Sequence, residues 1–178
     1  MTFLLKQPFS KQAVRNYLVQ VLWPGAVKHR RVLSLSIGFV LVFNGFFTLG
    51  INATESLPDH VYLVLKYDKN LHRGDYATFR WNGGGPYGAG LTFLKRVEGV
   101  GGDTVTVVDH DFYVNGKFVG IAKTRARTGQ VLQMGKTGVI PAGYFYMAAP
   151  HRDSLDSRYA MTGWIAQDRI LGKAIPLF

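Results

Sequence analysis

Between Arg31 and Glu55 the chain runs for 23 residues without a formal charge, VLSLSIGFVLVFNGFFTLGINAT. A helix of about 20 mostly apolar residues spans a bilayer core of roughly 30 Å. Ser34, Ser36, Gly38 and Asn44 dilute the run, but Leu, Val, Ile and Phe dominate it. The expectation is a single membrane-spanning signal anchor over residues 32–54. Lys28-His29-Arg30-Arg31 precedes the run and Glu55 opens its far side. Excess positive charge stays on the cytoplasmic side, so residues 1–31 are read as a cytoplasmic basic segment and residues 55–178 as an exported domain. A cleaved signal peptide fits less well, because its apolar core is about 7 to 15 residues long behind a short charged region. A buried core helix is the other alternative.

Charge follows the same division. The formal net charge is +10, but residues 1–31 hold six basic residues (Lys6, Lys11, Arg15, Lys28, Arg30, Arg31) and no acidic one. From Ser56 onward fifteen basic residues face ten acidic ones. A nucleic-acid-binding protein would carry its basic excess on a recognition module with interleaved aromatics, and this one carries it beside the apolar run. No nucleic-acid partner is expected. The chain has no cysteine, which excludes a disulfide framework, a thiolate nucleophile and a cysteine-rich metal site. Within the N-terminal segment, KQAVRNYLVQVLWPGAV can form an amphipathic helix with Leu18, Val21 and Leu22 on one side, ended by Pro24-Gly25.

After Ser56 the period changes. VYLVLKY, YATFRW, LTFLKRV, DTVTVV, DFYVNGKFVG, YFYMAA and ILGKAIPLF are short runs rich in β-branched and aromatic residues, separated by turn sequences. Asn115-Gly116 between two apolar runs signals a tight hairpin. The fold class expected is all-β, a compact antiparallel system closed or folded to protect its edges. Gly83 to Gly90 reads as a flexible surface loop. It is no phosphate cradle, since neither a following helix nor a P-loop lysine accompanies it.

Few chemistries fit such a domain. The five histidines show no metal spacing, no metal or cofactor is expected, and no G-x-S-x-G elbow surrounds a serine. A serine can instead be activated by a lysine, provided the lysine is desolvated enough to be neutral. Lys95, in LTFLKRVEGVGGDTV, follows Thr92, Phe93 and Leu94. Strand alternation puts Phe93, Lys95 and Val97 on one face. Taken alone, this pattern also suits an edge-strand lysine that only deters aggregation.

The order of short motifs resembles the type I signal peptidase family of serine–lysine proteases. TESLP resembles the nucleophile box, RGDYATF the box after it, FLKRVEGVGGDTV the lysine box, HRDSLDSRYAMTG the last box and LGKAIPLF a closing strand. The resemblance implies a signal peptidase-like antiparallel β domain in which Ser56 is the nucleophile and Lys95 its general base. Thr54 would give an oxyanion donor beside the Ser56 backbone N–H. Ser154 would orient the lysine, and Asp156 and Arg158, with Asp153, would support the site. Two departures stand out: Leu57 occupies a place usually held by methionine, and APHRDS replaces the usual Gly-Asp-Asn-Arg opening of the last box.

The short chain, the single anchor and NATESLPDHVYLV further resemble the TraF-type branch that matures conjugative pilin. That implies a bacterial inner-membrane enzyme with its peptidase domain in the periplasm. Its partners would be a pilin precursor or another membrane-inserted substrate, membrane lipid, and type IV secretion components. In some members the pilin's own amine resolves the acyl-enzyme, giving a cyclic product. The alternatives are a general signal peptidase removing leader peptides, and a non-catalytic assembly factor of a secretion system.

Overall fold

The structure, a computed structural model, describes residues 10–54 and 56–178; Lys6 of the basic flank and Glu55 at the end of the apolar run lie outside the described residues. The chain divides into two compact units, 1–45 and 46–178.

In the first unit Ser10 caps helix α1 (Lys11–Tyr17) by accepting the Ala13 N–H at 3.1 Å. This cap satisfies one of the donors that a helix start leaves open. A π-helical turn (Leu18–Leu22) leads into α2 (Trp23–Lys28), and α3 covers Arg30–Phe46. The side chains of Val21 and Leu22 lie outside the described ones. Pro24-Gly25 does not end the helical run as expected. Pro24 lies within the continuous helical run, directly after the π turn, and the turn at His29 interrupts the run instead.

The larger correction concerns the anchor. Helix α3 is 17 residues long, and no helix among the described residues is long and apolar enough to cross a membrane. The uncharged run does not stay helical to residue 54. Strand β1 (Phe47–Ile51) takes over and pairs antiparallel with β2 (Val61–Leu65), from Phe47 opposite Leu65 to Ile51 opposite Val61. Apolarity alone does not select between helix and strand, and here FTLGI takes the ladder offered by VYLVL. Two of the polar residues of α3 are satisfied within the helix. Ser34 Oγ donates to Arg30 O at 2.8 Å and Asn44 Nδ2 to Val40 O at 2.9 Å.

The second unit is the antiparallel β domain that the strand pattern predicts. Its further strands are β3 (Tyr76–Arg80), β4 (Thr92–Gly99), β5 (Thr104–Val108), β6 (Asp111–Val114), β7 (Lys117–Ile121), β8 (Gly138–Val139), β9 (Tyr144–Ala148), β10 (Ile165–Ala166) and β11 (Ile170–Pro176). A seven-stranded sheet runs β1-β2-β11-β3-β4-β9-β10, and a four-stranded sheet runs β7-β6-β5-β8. Strands β2 and β3 are consecutive in the chain but not neighbours, since β11 lies between them. Asn115 and Gly116 both have positive φ, 48° and 77°, and close the β6–β7 hairpin as a two-residue turn.

One buried cluster, with Phe79, Trp81, Val97 and Met147, lies under the large sheet. A second, with Phe112, Ile140 and Tyr146, joins the small sheet to β9. A third, of Leu57, Tyr62, Val64, Ala149 and Ala174, sits behind the turn that carries Ser56.

Gly83 to Gly90 is tied down, contrary to the reading as a flexible loop. Gly84 and Tyr87 form an antiparallel bridge, and Trp81 Nε1 donates to Tyr87 O at 3.3 Å. Gly83, Gly84 and Gly85 all take positive φ, which favours glycine at this turn.

Candidate active site

Lys95 sits on β4 opposite Ala77 of β3 and is 6% exposed. Alternation along the strand places it on the side of Phe93, whose ring centroid lies 5.9 Å from Lys95 Nζ. Phe93 is itself fixed, stacked on Trp81 at 4.7 Å and met edge-on by Tyr87 at 5.4 Å. The ammonium is therefore held over an aromatic shelf and away from water. Burial drives its pKa down from 10.5 to about 8; Asp156 opposes that shift and Arg158 adds to it.

Ser56 lies on the turn between β1 and β2 and is 5% exposed. Lys95 Nζ donates to its Oγ at 3.1 Å, across 39 residues of sequence. Thr54 Oγ1 donates to the same oxygen at 3.2 Å, and Ser56 Oγ in turn donates to Asn52 Oδ1 at 3.4 Å. Sequence reasoning did not single out Asn52. It is buried, and its Nδ2 donates to the carbonyls of Leu57 at 2.9 Å and Asp59 at 3.1 Å. Its place in the apolar run hid it, because a polar residue there reads only as a dilution of hydrophobicity.

Asp156 and Arg158 are buried side by side, 0% and 1% exposed. Arg158 Nε donates to Asp156 Oδ1 at 2.8 Å and Nη2 to Oδ2 at 2.7 Å, a two-pronged fit of guanidinium to carboxylate. The Ala149 N–H adds a further donor to Asp156 at 3.1 Å. The other guanidinium hydrogens go to backbone carbonyls. Nη2 reaches Ala149, His151 and Ser154 at 3.2 to 3.4 Å, and Nη1 reaches Ile121 at 3.1 Å. Arg158 thus clamps the 149–154 loop from beneath and ties it to β7. Gly120 makes room for this clamp: with φ at 138°, a Cβ there would stand 2.6 Å from Arg158 Nη1.

That loop brings Ser154 into the wall of the cleft, where its buried Oγ has no hydrogen-bond partner among the described residues. The contact to Lys95 that the motif resemblance implies is not formed. Asp153 pairs with Lys123, and more loosely with Arg127 Nε at 3.7 Å. Those cations, Lys123 first, hold its carboxyl below the usual range. Asp153 is therefore part of the cleft rim and makes no contact with Ser56 or Lys95.

Around these groups lies an open cleft of about 530 Å³, with Ser56 and Lys95 at its base and Ile51, Tyr87, Leu91 and Leu155 on its walls. Strand β4 pairs with β3 from Thr92 to Arg96 but with β9 only from Arg96 onward. In these pairings Thr92–Lys95 carries a partner on one side only. That leaves beside the hydroxyl an edge where an extended peptide can add as a further strand. No group of acidic, histidine or cysteine residues among the described ones is arranged to hold a metal ion.

The family model described as signal peptidase, peptidase S26, matches residues 30–178. Signal peptidase I T of Bacillus subtilis (strain 168) is 30% identical over 176 residues, covering 92% of this chain and 86% of that protein. Signal peptidase I of Bacillus licheniformis is 28% identical over 162 residues, 84% of this chain and 83% of that one. Among solved structures, a signal peptidase I from Enterococcus faecalis V583 aligns at a TM-score of 0.40 with 21% identity, over 63% of this chain and 100% of that chain.

Proposed function

The chain belongs to the signal peptidase family, peptidase S26, and from that premise we propose a serine endopeptidase that removes leader peptides from exported proteins, with Ser56 as nucleophile and Lys95 as general base. The observation that carries this reading is the 3.1 Å contact between a buried lysine and a buried serine at the base of an open cleft.

The steps follow from the geometry. Neutral Lys95 takes the Ser56 proton as Oγ attacks the scissile carbonyl, forming a tetrahedral oxyanion. The Ser56 backbone N–H and the Thr54 hydroxyl, once released from Oγ, donate to that oxyanion. Lys95 then returns the proton to the leaving amine. In the second half water attacks the ester, gives its proton to Lys95, and Ser56 is regenerated. Extended pairing along Thr92–Leu94 aligns the substrate with Oγ. Asp156 and Arg158 act at a distance, through the loop they hold.

We also propose lipid contact through α3. Its apolar side chains, among them Val32, Leu35, Phe39 and Leu41, are exposed and follow a basic cluster. In this reading the enzyme works at a membrane surface, close to membrane-inserted substrates. Recovery of the full chain in the soluble fraction after cell lysis would overturn it.

A narrower reading, conjugative pilin maturation with cyclisation by the pilin's own amine, rests on NATESLPDHVYLV alone. Shortness does not favour it, since signal peptidase I T is matched over 86% of its own length. One assay separates the possibilities: intact-mass analysis of a fluorogenic leader peptide, and of a candidate pilin, with wild-type enzyme, Ser56→Ala and Lys95→Ala. Leader-peptide cleavage that falls by about a thousandfold or more in both variants is expected. A pilin product one water lighter than the linear fragment supports cyclisation. Cleavage that persists in both variants sinks the serine–lysine assignment.

A further inference from the structure

The bonds around Ser56 Oγ define a resting state with a specific chemical requirement. A charged lysine has three donors and no acceptor. With Lys95 charged, its Nζ fills one lone pair of Oγ, and the Thr54 hydroxyl fills the other. The serine's own proton then needs a third partner. Only one acceptor faces it among the described residues, the Asn52 Oδ1 at 3.4 Å. The orientation of that carboxamide is forced, because its NH2 group is spent on the Leu57 and Asp59 carbonyls. The Asn52 N–H is fixed as well, donating to His60 O at 2.8 Å.

We propose that Asn52 is a positioning residue for the reaction. Its amide oxygen holds the Ser56 proton while Lys95 is charged, and its amide N–H groups fix the turn that carries the nucleophile. When Lys95 loses its proton, the Oγ–H turns from Asn52 Oδ1 to the Nζ lone pair, and one lone pair of Oγ is freed for attack. Asn52 Oδ1 thereby holds the Oγ–H only in the resting state, while its N–H bonds to the Leu57, Asp59 and His60 carbonyls keep the turn in place in both. The inference rests on the peptidase reading of Ser56 and Lys95.

Aspartate at position 52 separates this role from a merely structural one. Asn52→Asp keeps the size, gives up the two donors to the Leu57 and Asp59 carbonyls, and places a carboxylate against the Ser56–Lys95 pair, which favours the charged lysine. The other ionisable groups near Lys95 stay as they are: Asp156 and Arg158 behind the loop, and Asp153, His151, Arg127 and Tyr87 around the cleft. The measurements are the Lys95 titration by NMR of its labelled Cε, which needs no substrate, and kcat and KM on the fluorogenic leader peptide.

The expected result is a Lys95 midpoint raised by about one unit in Asn52→Asp, with the acid limb of the rate profile moving up beside it. In Asn52→Ala, kcat should fall about tenfold with KM within about twofold. An unmoved titration in Asn52→Asp, or wild-type kcat in Asn52→Ala, overturns the proposal. Should Asn52→Ala fail to fold, the Asn52→Asp titration decides alone. Failure of the underlying peptidase reading looks different: Ser56→Ala or Lys95→Ala would still cleave.

Discussion

Lys95 and Arg158 are both basic, both buried, and both close to the same carboxylate, yet their pKa values move in opposite directions. Burial works against charge on each. For Arg158 the hydrogen bonds and the negative charge of Asp156 outweigh it, and the guanidinium is held above its ordinary value. Among the described residues Lys95 has no carboxylate in hydrogen-bond contact, only a serine oxygen and an aromatic face, so burial takes its pKa down to about 8. Direct pairing, set against burial, decides which way each cation's pKa moves. Under the proposed mechanism the two results serve different ends: a paired guanidinium holds a loop, and an amine with a lowered pKa can move a proton.

The sharpest way to break this contrast is to remove the paired cation. Arg158→Ala leaves Asp156 buried without its counter-charge and three loop carbonyls without their donor, and should cost about 3 to 5 kcal/mol in chemical denaturation. Arg158→Lys should recover only part of that, because an ammonium cannot span both carboxylate oxygens.

A somewhat smaller effect is expected on the other side. Lys95 is charged in the unfolded chain up to about pH 10.5, but in the folded one only up to about 8. Between those values the unfolded state binds more protons, so stability should rise with pH by about 3 kcal/mol across the window and be lowest below it. Denaturation midpoints measured from pH 7 to 10.5 check the slope. Lys95→Met should abolish both the slope and the activity while raising stability at pH 7. A slope that survives in Lys95→Met would assign the titration elsewhere.

The smallest effect belongs to Ser154→Ala. Its hydroxyl has no partner to lose among the described residues, so stability should change by less than about 0.5 kcal/mol. Peptide cleavage should slow by no more than about tenfold. A fall comparable to that of Lys95→Ala would mean that Ser154 contacts the reacting groups once substrate is bound.

The sequence made the lysine legible because strand alternation is local: Phe93, Lys95 and Val97 share a face whatever else the chain does. Asn115-Gly116 was legible for the same reason, since its turn needs only its own two dihedrals. Where α3 stops was not. Phe47–Ile51 becomes a strand because VYLVL offers a ladder from ten or more residues away. The partners of Asp153 lie about thirty residues off, at Lys123 and Arg127, and Asn52 acquires its role only when the turn at Ser56 folds back on it. Pro24 misled for a different reason: the helical run passes through it, directly after the wider π turn at Leu18–Leu22.

The strand order carries a consequence in time. The hairpin bearing Ser56 and the hairpin bearing Lys95 are adjacent in sequence, yet they share no ladder; β11 (Ile170–Pro176) is the strand that bonds to both. A nascent chain that has left the ribosome as far as residue 160 holds both reacting side chains and still lacks the strand that joins their hairpins. Until β11 emerges and pairs, no backbone ladder joins the two hairpins, so the register that sets Ser56 against Lys95 is closed by a strand more than seventy residues beyond either of them.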